Sequence, residues 1–298
     1  MEGVMDHTMR QLLSEVGGMN YLVSEFVRVT EYAVPSKTFA NRIPELNNGC
    51  QTETGHPVHV QLLGSNSLTM SASASNAVAA GATHIDINFG CPAKRVNGHG
   101  GGSFLLQFPD QLYQIVKSIR GAIPDEVPLS AKMRLGYEDE NLLWENIDAI
   151  SSGGASTLTI HGRTKSDGYR PPARWEKIKL AKEKTTMTII ANGDIYSRES
   201  LEQCRKITGC QHFMIGRGSL NNPFLFQHLR TGKVYEYQDL VELIHGYCEK
   251  LVSNYDDFST LGRMKQWCAH LRQDWPQIAD KLPEIRKASN LNEMLKHF

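Results

Sequence analysis

The sequence predicts a TIM-type (β/α)8 barrel followed by an all-helical domain, and three observations predict it. The first is a repeating rhythm between Tyr21 and about Leu229, in which a short β-branched run, a loop and a helical stretch recur. The second is a change after Leu229, where helical periodicity continues without intervening strands. The third is a set of polar residues at the carboxyl ends of successive strand candidates, the position where such barrels carry their chemistry. At 298 residues the chain is long enough for one barrel and a small appendage.

The strand candidates in order are Tyr21–Glu25, Val58–Leu63, Thr83–Asn88, Leu129–Met133, Ser156–His161, Met187–Ala191 and His212–Ile215. Small residues introduce several of them, as in Ala80-Gly81-Ala82 and Gly153-Gly154-Ala155, which suit a helix end turning into a strand. A doubly wound sheet also fits the alternation, but no G-x-G-x-x-G opens a helix after the first strand. Seven candidates fall one short of a closed barrel. With Gly3 and Asp6 resembling a strand-to-helix loop, the expectation is a first strand upstream of residue 1. The barrel is assigned to residues 1–234 and the helical domain to 235–298. In the latter, Tyr237–Asn254, Leu261–Asp274 and Ile285–Phe298 are expected as helices, with Pro276 and Pro283 in the connections.

Lys and Arg total 32, as do Asp and Glu, so a nucleic-acid partner has to be met by local patches. Beyond Gly232 there are nine basic against ten acidic residues, and only Arg263, Lys265 and Arg272 cluster. The six cysteines include no Cys-x-x-Cys pair and no His cluster at metal spacing, so no metal is expected and the thiols read as reduced. The start has no apolar leader and no window reaches membrane-span length, which predicts a soluble, cytoplasmic protein.

The strand ends supply Gln61, Asn88 with Cys91, Lys132, His161, Asn192 and Arg217, all directed to one mouth. Packing alone favours Val, Ile or Leu at such places. Asn192-Gly193-Asp194 and Gly216-Arg217-Gly218 fall where this fold seats a phosphate, if the upstream strand is counted; two ordinary βα turns are the alternative. Lys132, between apolar neighbours, is costly to desolvate unless it meets an anion, and it can neutralise a reduced flavin, form a Schiff base or pair with a carboxylate. His161 and Gln61 inform only through their neighbours. Cys91 precedes Pro92 and the run Gly98-His-Gly-Gly-Gly102, read as a loop that moves over a ligand, where a thiol can donate a proton near neutral pH.

The string Ile87-Asn-Phe-Gly-Cys-Pro92 with its downstream glycines resembles the catalytic loop of tRNA-dihydrouridine synthases. So do Met1-Glu-Gly-Val-Met-Asp6, Gln61-Leu-Leu-Gly64, Lys132-Met-Arg134, His161-Gly-Arg163, Asn192-Gly-Asp194 and Ile215-Gly-Arg217, in the family's order across the whole barrel. The resemblance implies FMN as cofactor and NADPH as electron donor. It implies that Cys91 protonates uracil C5, and that Lys132, Gln61 and His161 lie along the flavin. Asn192, Gly193, Asp194, Gly216 and Arg217 would hold the ribityl phosphate, and Met1 and Glu2 would cover the ring. The string Gly262-Arg-Met-Lys-Gln-Trp267 with Arg272 is similar to the branch acting on uridine 16 of the D-loop. Arg28, Asn88, Lys265, Trp267 and Arg272 are then expected to touch tRNA, with a solvated charged helix face as the alternative. A monomer is expected.

Two other classes compete. An FMN-dependent reductase or dehydrogenase of a free pyrimidine shares the barrel and the loop cysteine but has no need of the helical domain. A non-catalytic tRNA-binding protein on the same barrel has no need of Cys91, Lys132 and Arg217. A Schiff-base aldolase using Lys132 is a third reading.

Overall fold

The computed structural model describes residues 3–298. The strands β1 (Leu22–Val23), β2 (Val27–Arg28), β3 (Val58–Leu63), β4 (Ile85–Phe89), β5 (Leu129–Arg134), β6 (Thr157–His161), β7 (Thr188–Asn192) and β8 (His212–Met214) form a wholly parallel sheet. Helices on the crossovers complete a curled half-barrel of the TIM type. The strands run in chain order across the sheet, except that β1 and β2 both pair with β3. The expected run Tyr21–Glu25 is thus shortened to Leu22–Val23, and a second, unexpected piece, Val27–Arg28, follows it along the same edge. The reason is Ser24, whose hydroxyl takes the Gln61 N–H at 3.0 Å in place of a ladder carbonyl.

The registers sort the side chains onto two faces. Gln61 pairs with Asp86 and Asp86 with Ser130; Asn88 pairs with Lys132; Arg134 pairs with His161 and His161 with Asn192. Residues paired across a parallel ladder point to the same side, so these form polar rows on one face. The intervening Leu62, Ile87, Phe89, Ala131, Met133, Leu158 and Ile160 are buried and form the apolar face that the helices cover. The sheet is therefore amphipathic, unlike the continuous apolar runs usual for strands buried on both faces.

The contacts divide the chain into two compact units, residues 21–215 and residues 3–20 with 216–298. The boundary expected at 234/235 falls inside the second unit, between the helices Leu225–Thr231 and Tyr237–Asn254. In that unit Asp6 caps the helix His7–Val16 by accepting from Met9 N–H. The same carboxylate accepts from Tyr255 Oη at 2.9 Å and pairs with Arg263. One Asp thus fastens the amino-terminal helix to the helix Asp257–Leu271.

Two expectations for the helical part are corrected. The second helix starts at Asp257, because Asp256 caps it through Ser259 N–H. The expected helix Ile285–Phe298 is two elements, Pro276–Lys287 and Leu291–Leu295, the second opened by the Asn290 side chain accepting from Glu293 N–H. Pro276 opens the first at a position where its missing N–H costs nothing, but Pro283 lies inside the helix rather than in a connection.

Trp267 is also corrected. At 1% exposure it is part of the core of this unit, edge-on to Tyr247 with ring centroids 4.9 Å apart, and its indole N–H donates to Leu220 O at 3.2 Å. A side chain so enclosed has no face to offer a nucleic acid. Truncation should cost about 3–5 kcal/mol, as for other large core side chains. Thermal unfolding of Trp267→Ala should show a marked drop in Tm, and Trp267→Phe a smaller one; equal Tm values across the three proteins would contradict a core role.

Candidate active site

Cys91 follows the end of β4 and is the one thiol of the six that is not buried. Its side chain packs against Phe26, Leu63 and Val96. Its carbonyl accepts from Asn97 Nδ2 (2.9 Å), Ser103 N (3.1 Å) and Ser103 Oγ (2.9 Å). Gly102 adopts φ +61, and a Cβ there would stand 2.8 Å from the Cys91 carbonyl oxygen. The segment expected to be a pliant flap is therefore a hydrogen-bonded turn containing the short helix Lys94–Asn97, and its glycines serve close packing. From the other side, Arg134 Nε donates to Gly90 O and Asn88 Oδ1 accepts from Gly90 N–H.

Lys132 lies on β5, opposite Asn88 in register. Its ammonium makes no hydrogen bond or ion pair with any described residue. Burial, reinforced by Arg134 and opposed by Asp86 and Cys91, lowers its pKa to about 8. An unpartnered cation in an enclosed polar row fits an anionic or electron-rich ligand such as a flavin ring. Gln61, assigned beside it, uses both ends of its amide: Nε2 donates to Asp86 at 2.6 Å and Oε1 accepts from Asn88 at 2.8 Å.

His161, ending β6, is buried against Arg163, whose Nη1 is 3.3 Å from His161 Nε2. A guanidinium only donates, so Nε2 accepts and the ring proton sits on Nδ1. Arg163 also pairs with Asp194 and donates to Arg170 O. Asp194 further accepts from Ala173 N–H at 2.7 Å, so its carboxylate is committed to internal partners. Gly193 is held at φ +117 where a Cβ would meet His161 Cδ2 at 2.9 Å. Asn192 donates to Met214 O, joining the ends of β7 and β8.

The remaining expected positions are more scattered. Gly216 precedes the short helix Arg217–Asn221, its carbonyl accepting from Ser219 Oγ at 2.8 Å. In the same unit Arg217 lies near His270, whose pKa falls through burial and then through that charge. Arg28, on β2, rests over Phe26 at 5.6 Å. The cluster read as basic is largely spent: Arg263 pairs with Asp6, and Lys265 Nζ caps helix Pro276–Lys287 through the carbonyls of Arg286 (2.9 Å) and Ala288. Arg272 alone of the three is exposed. Met1 and Glu2 lie outside the described residues. Sequence reasoning gave no role to Asp86, Arg134 or Arg163; the signal available was their period-2 placement behind Asn88, Lys132 and His161.

A parallel half-barrel with amides, a thiol and an unpaired lysine on one polar face defines an α/β-barrel enzyme fold. Histamine dehydrogenase from Rhizobium sp. 4-9 shares it, with a TM-score of 0.57 at 15% identity over 84% of this chain and 47% of that one. A 6-hydroxypseudooxynicotine amine oxidase from Pseudomonas geniculata N1 does so with a TM-score of 0.58 at 13% identity over 76% and 44%. The chain belongs to the family described as Dihydrouridine synthase (Dus), whose profile matches residues 1–297. It is 41% identical to a tRNA-dihydrouridine(16) synthase of Shewanella oneidensis over 99% of this chain and 94% of that protein. It is 40% identical to one of Vibrio vulnificus over 100% and 94%.

The Lys132 environment sets a pH dependence. A folded-state pKa of about 8 against an ordinary 10.5 means that the unfolded chain binds the extra proton between these values. Stability then rises with pH through that window, and the charged lysine is a cost below it. In urea unfolding of the protein freed of ligand, Lys132→Met should exceed wild type in stability at pH 7. That advantage should shrink as pH climbs past 8; a gap constant with pH would rule the environment out.

Proposed function

We propose that the protein is a tRNA-dihydrouridine synthase that reduces uridine 16 in the D-loop of tRNA, with FMN as cofactor and NADPH as electron donor. It would work as a monomer in the cytoplasm. The observation that carries the reading is a half-buried thiol, Cys91, just past the end of β4 and within electrostatic reach of the unpartnered Lys132 on β5. Family membership, and relatives that are tRNA-dihydrouridine(16) synthases, support the substrate and the position.

Bound FMN would supply a hydride to uracil C6. Cys91 Sγ would give its proton to C5, and the clamp on its carbonyl fixes where that sulfur stands. Lys132 would place positive charge against the electron-rich ring, with Gln61 and His161, which the family resemblance sets along it, as its neutral neighbours. The family resemblance assigns the ribityl phosphate to Asn192, Gly193, Asp194, Gly216 and Arg217, and the positive φ of Gly193 fits a turn in which backbone approaches a ligand closely. The target base is inside folded RNA and has to be extruded to reach the thiol. Arg272 is the exposed cation offered to RNA phosphates, with Arg28, Asn88 and Lys265, expected there from the resemblance, engaged in contacts within the protein.

The test is a visible spectrum of the purified protein, followed by position-mapped mass spectrometry of dihydrouridine in tRNA supplied with NADPH. Wild type should be yellow and reduce uridine 16. Cys91→Ala should keep the flavin and lose about 100-fold or more in turnover, the usual scale for a general acid. Flavin without any reduced base in tRNA, but with activity on a free pyrimidine, would replace the substrate; a protein that cannot take up flavin would refute the proposal.

A further inference from the structure

The polar face contains an unbroken hydrogen-bond chain that starts at His84 and ends beside Cys91. His84 Nε2 is 2.9 Å from Ser130 Oγ, and Ser130 Oγ donates to Asp86 Oδ1. Asp86 Oδ2 accepts from Gln61 Nε2, Gln61 Oε1 accepts from Asn88 Nδ2, and Asn88 Oδ1 accepts from Gly90 N–H at 3.0 Å. Four of these members can bond either way round, because hydroxyls, amides and imidazoles both donate and accept. The terminal member cannot. A backbone N–H only donates, so Asn88 must turn its oxygen to Gly90 and its NH2 to Gln61. Gln61 must then turn its oxygen to Asn88 and its NH2 to Asp86.

We propose that Asp86 is the positioning residue of this site: as a carboxylate accepting on both oxygens, it is the acceptor on which the His84–Ser130 arm and the Gly90–Asn88–Gln61 arm converge, and through Gln61 and Asn88 it holds the turn that carries Cys91. The catalytic consequence rests on the role proposed for Cys91, but the orientation itself does not. Burial pushes the Asp86 carboxyl up from its ordinary pKa, while the hydrogen bonds from Ser130 and Gln61 and then the charge of Lys132 oppose that shift and favour the carboxylate. With Ser130 donating toward Asp86, the hydroxyl accepts from His84, which places the His84 proton on Nε2. Burial keeps His84 neutral, with a pKa of about 4, and the ring stacks on His59 with centroids 3.6 Å apart.

The direction makes an unusual prediction for Asp86→Asn. The new NH2 has to face either Gln61 or Ser130. Facing Gln61, it would reverse Gln61 and Asn88 in turn and set an NH2 against the Gly90 N–H. Facing Ser130, it reverses only the hydroxyl, which then donates to His84 Nε2 and drives the ring proton to Nδ1. The second outcome costs no buried bond.

The experiment is heteronuclear NMR of the purified full chain, with His84 assigned by His84→Gln. Wild type should show the Nε2–H tautomer at His84. Asp86→Asn should show the Nδ1–H tautomer with the Gly90 amide unmoved. In Asp86→Ala, where the Gln61 NH2 loses its acceptor and the Gln61–Asn88 arm loses its anchor, Gly90 amide exchange and Cys91 alkylation should each rise about fivefold or more, the worth of one net hydrogen bond. An Nδ1–H tautomer in wild type, an unchanged tautomer in Asp86→Asn, or a displaced Gly90 amide in that variant would each overturn the proposal. If Asp86→Ala does not fold, the Asp86→Asn result decides alone. None of these readouts involves turnover, so failure here is distinct from failure of the proposed activity.

Discussion

The structure of the larger unit depends on one constraint: a parallel sheet with a polar face must satisfy every group on that face from within. Water-like stabilisation has to come from neighbouring side chains, and an unmet group would cost more than the bond it replaces. The registers deliver the partners. Asp86 is set between Gln61 and Ser130, and Arg134 reaches the carbonyls of Gly90, Thr164 and Gly168. Two buried arginines thereby pin loops at the end of the sheet, Arg134 behind Cys91 and Arg163 behind Asp194. The chemistry of the site is an outcome of the same accounting, because Lys132 is the member of the rows whose charge is left without a direct partner.

The other unit follows a different logic. Its cations serve architecture: Arg263 closes on Asp6, Lys265 ends a helix and Lys250 meets Glu15 at 2.9 Å. A charged string in a helix is therefore a poor guide to a nucleic-acid surface until the carboxylates and carbonyls near it are known. Arg272, which caps its helix and remains exposed, is what is left of the cluster.

Much of this was legible in the sequence. The strands β3 to β8 fall within two residues of their expected ends, since their β-branched runs are bounded by small residues and turns. The site positions at Gln61, Asn88, Cys91, Lys132, His161 and Asn192 were marked by being polar where packing favours aliphatic side chains. What was not legible depends on tertiary pairing. The split at Ser24 arises from a hydroxyl 37 positions from the amide it meets. The core role of Trp267 depends on a carbonyl 47 positions away. The break after Lys287 was hidden because Asn290 caps a helix too short to show a period.

The unpaired lysine has a consequence for the life of the protein as well as for its chemistry. Asp86 and Cys91 offset only part of the cost of burying this charge, so a ligand that neutralises it relieves the remainder in addition to making its own contacts. Ligand occupancy and resistance to unfolding are then one equilibrium read in two ways. A population of molecules starved of that ligand opens more often, and in a cell it is the open form that proteases remove.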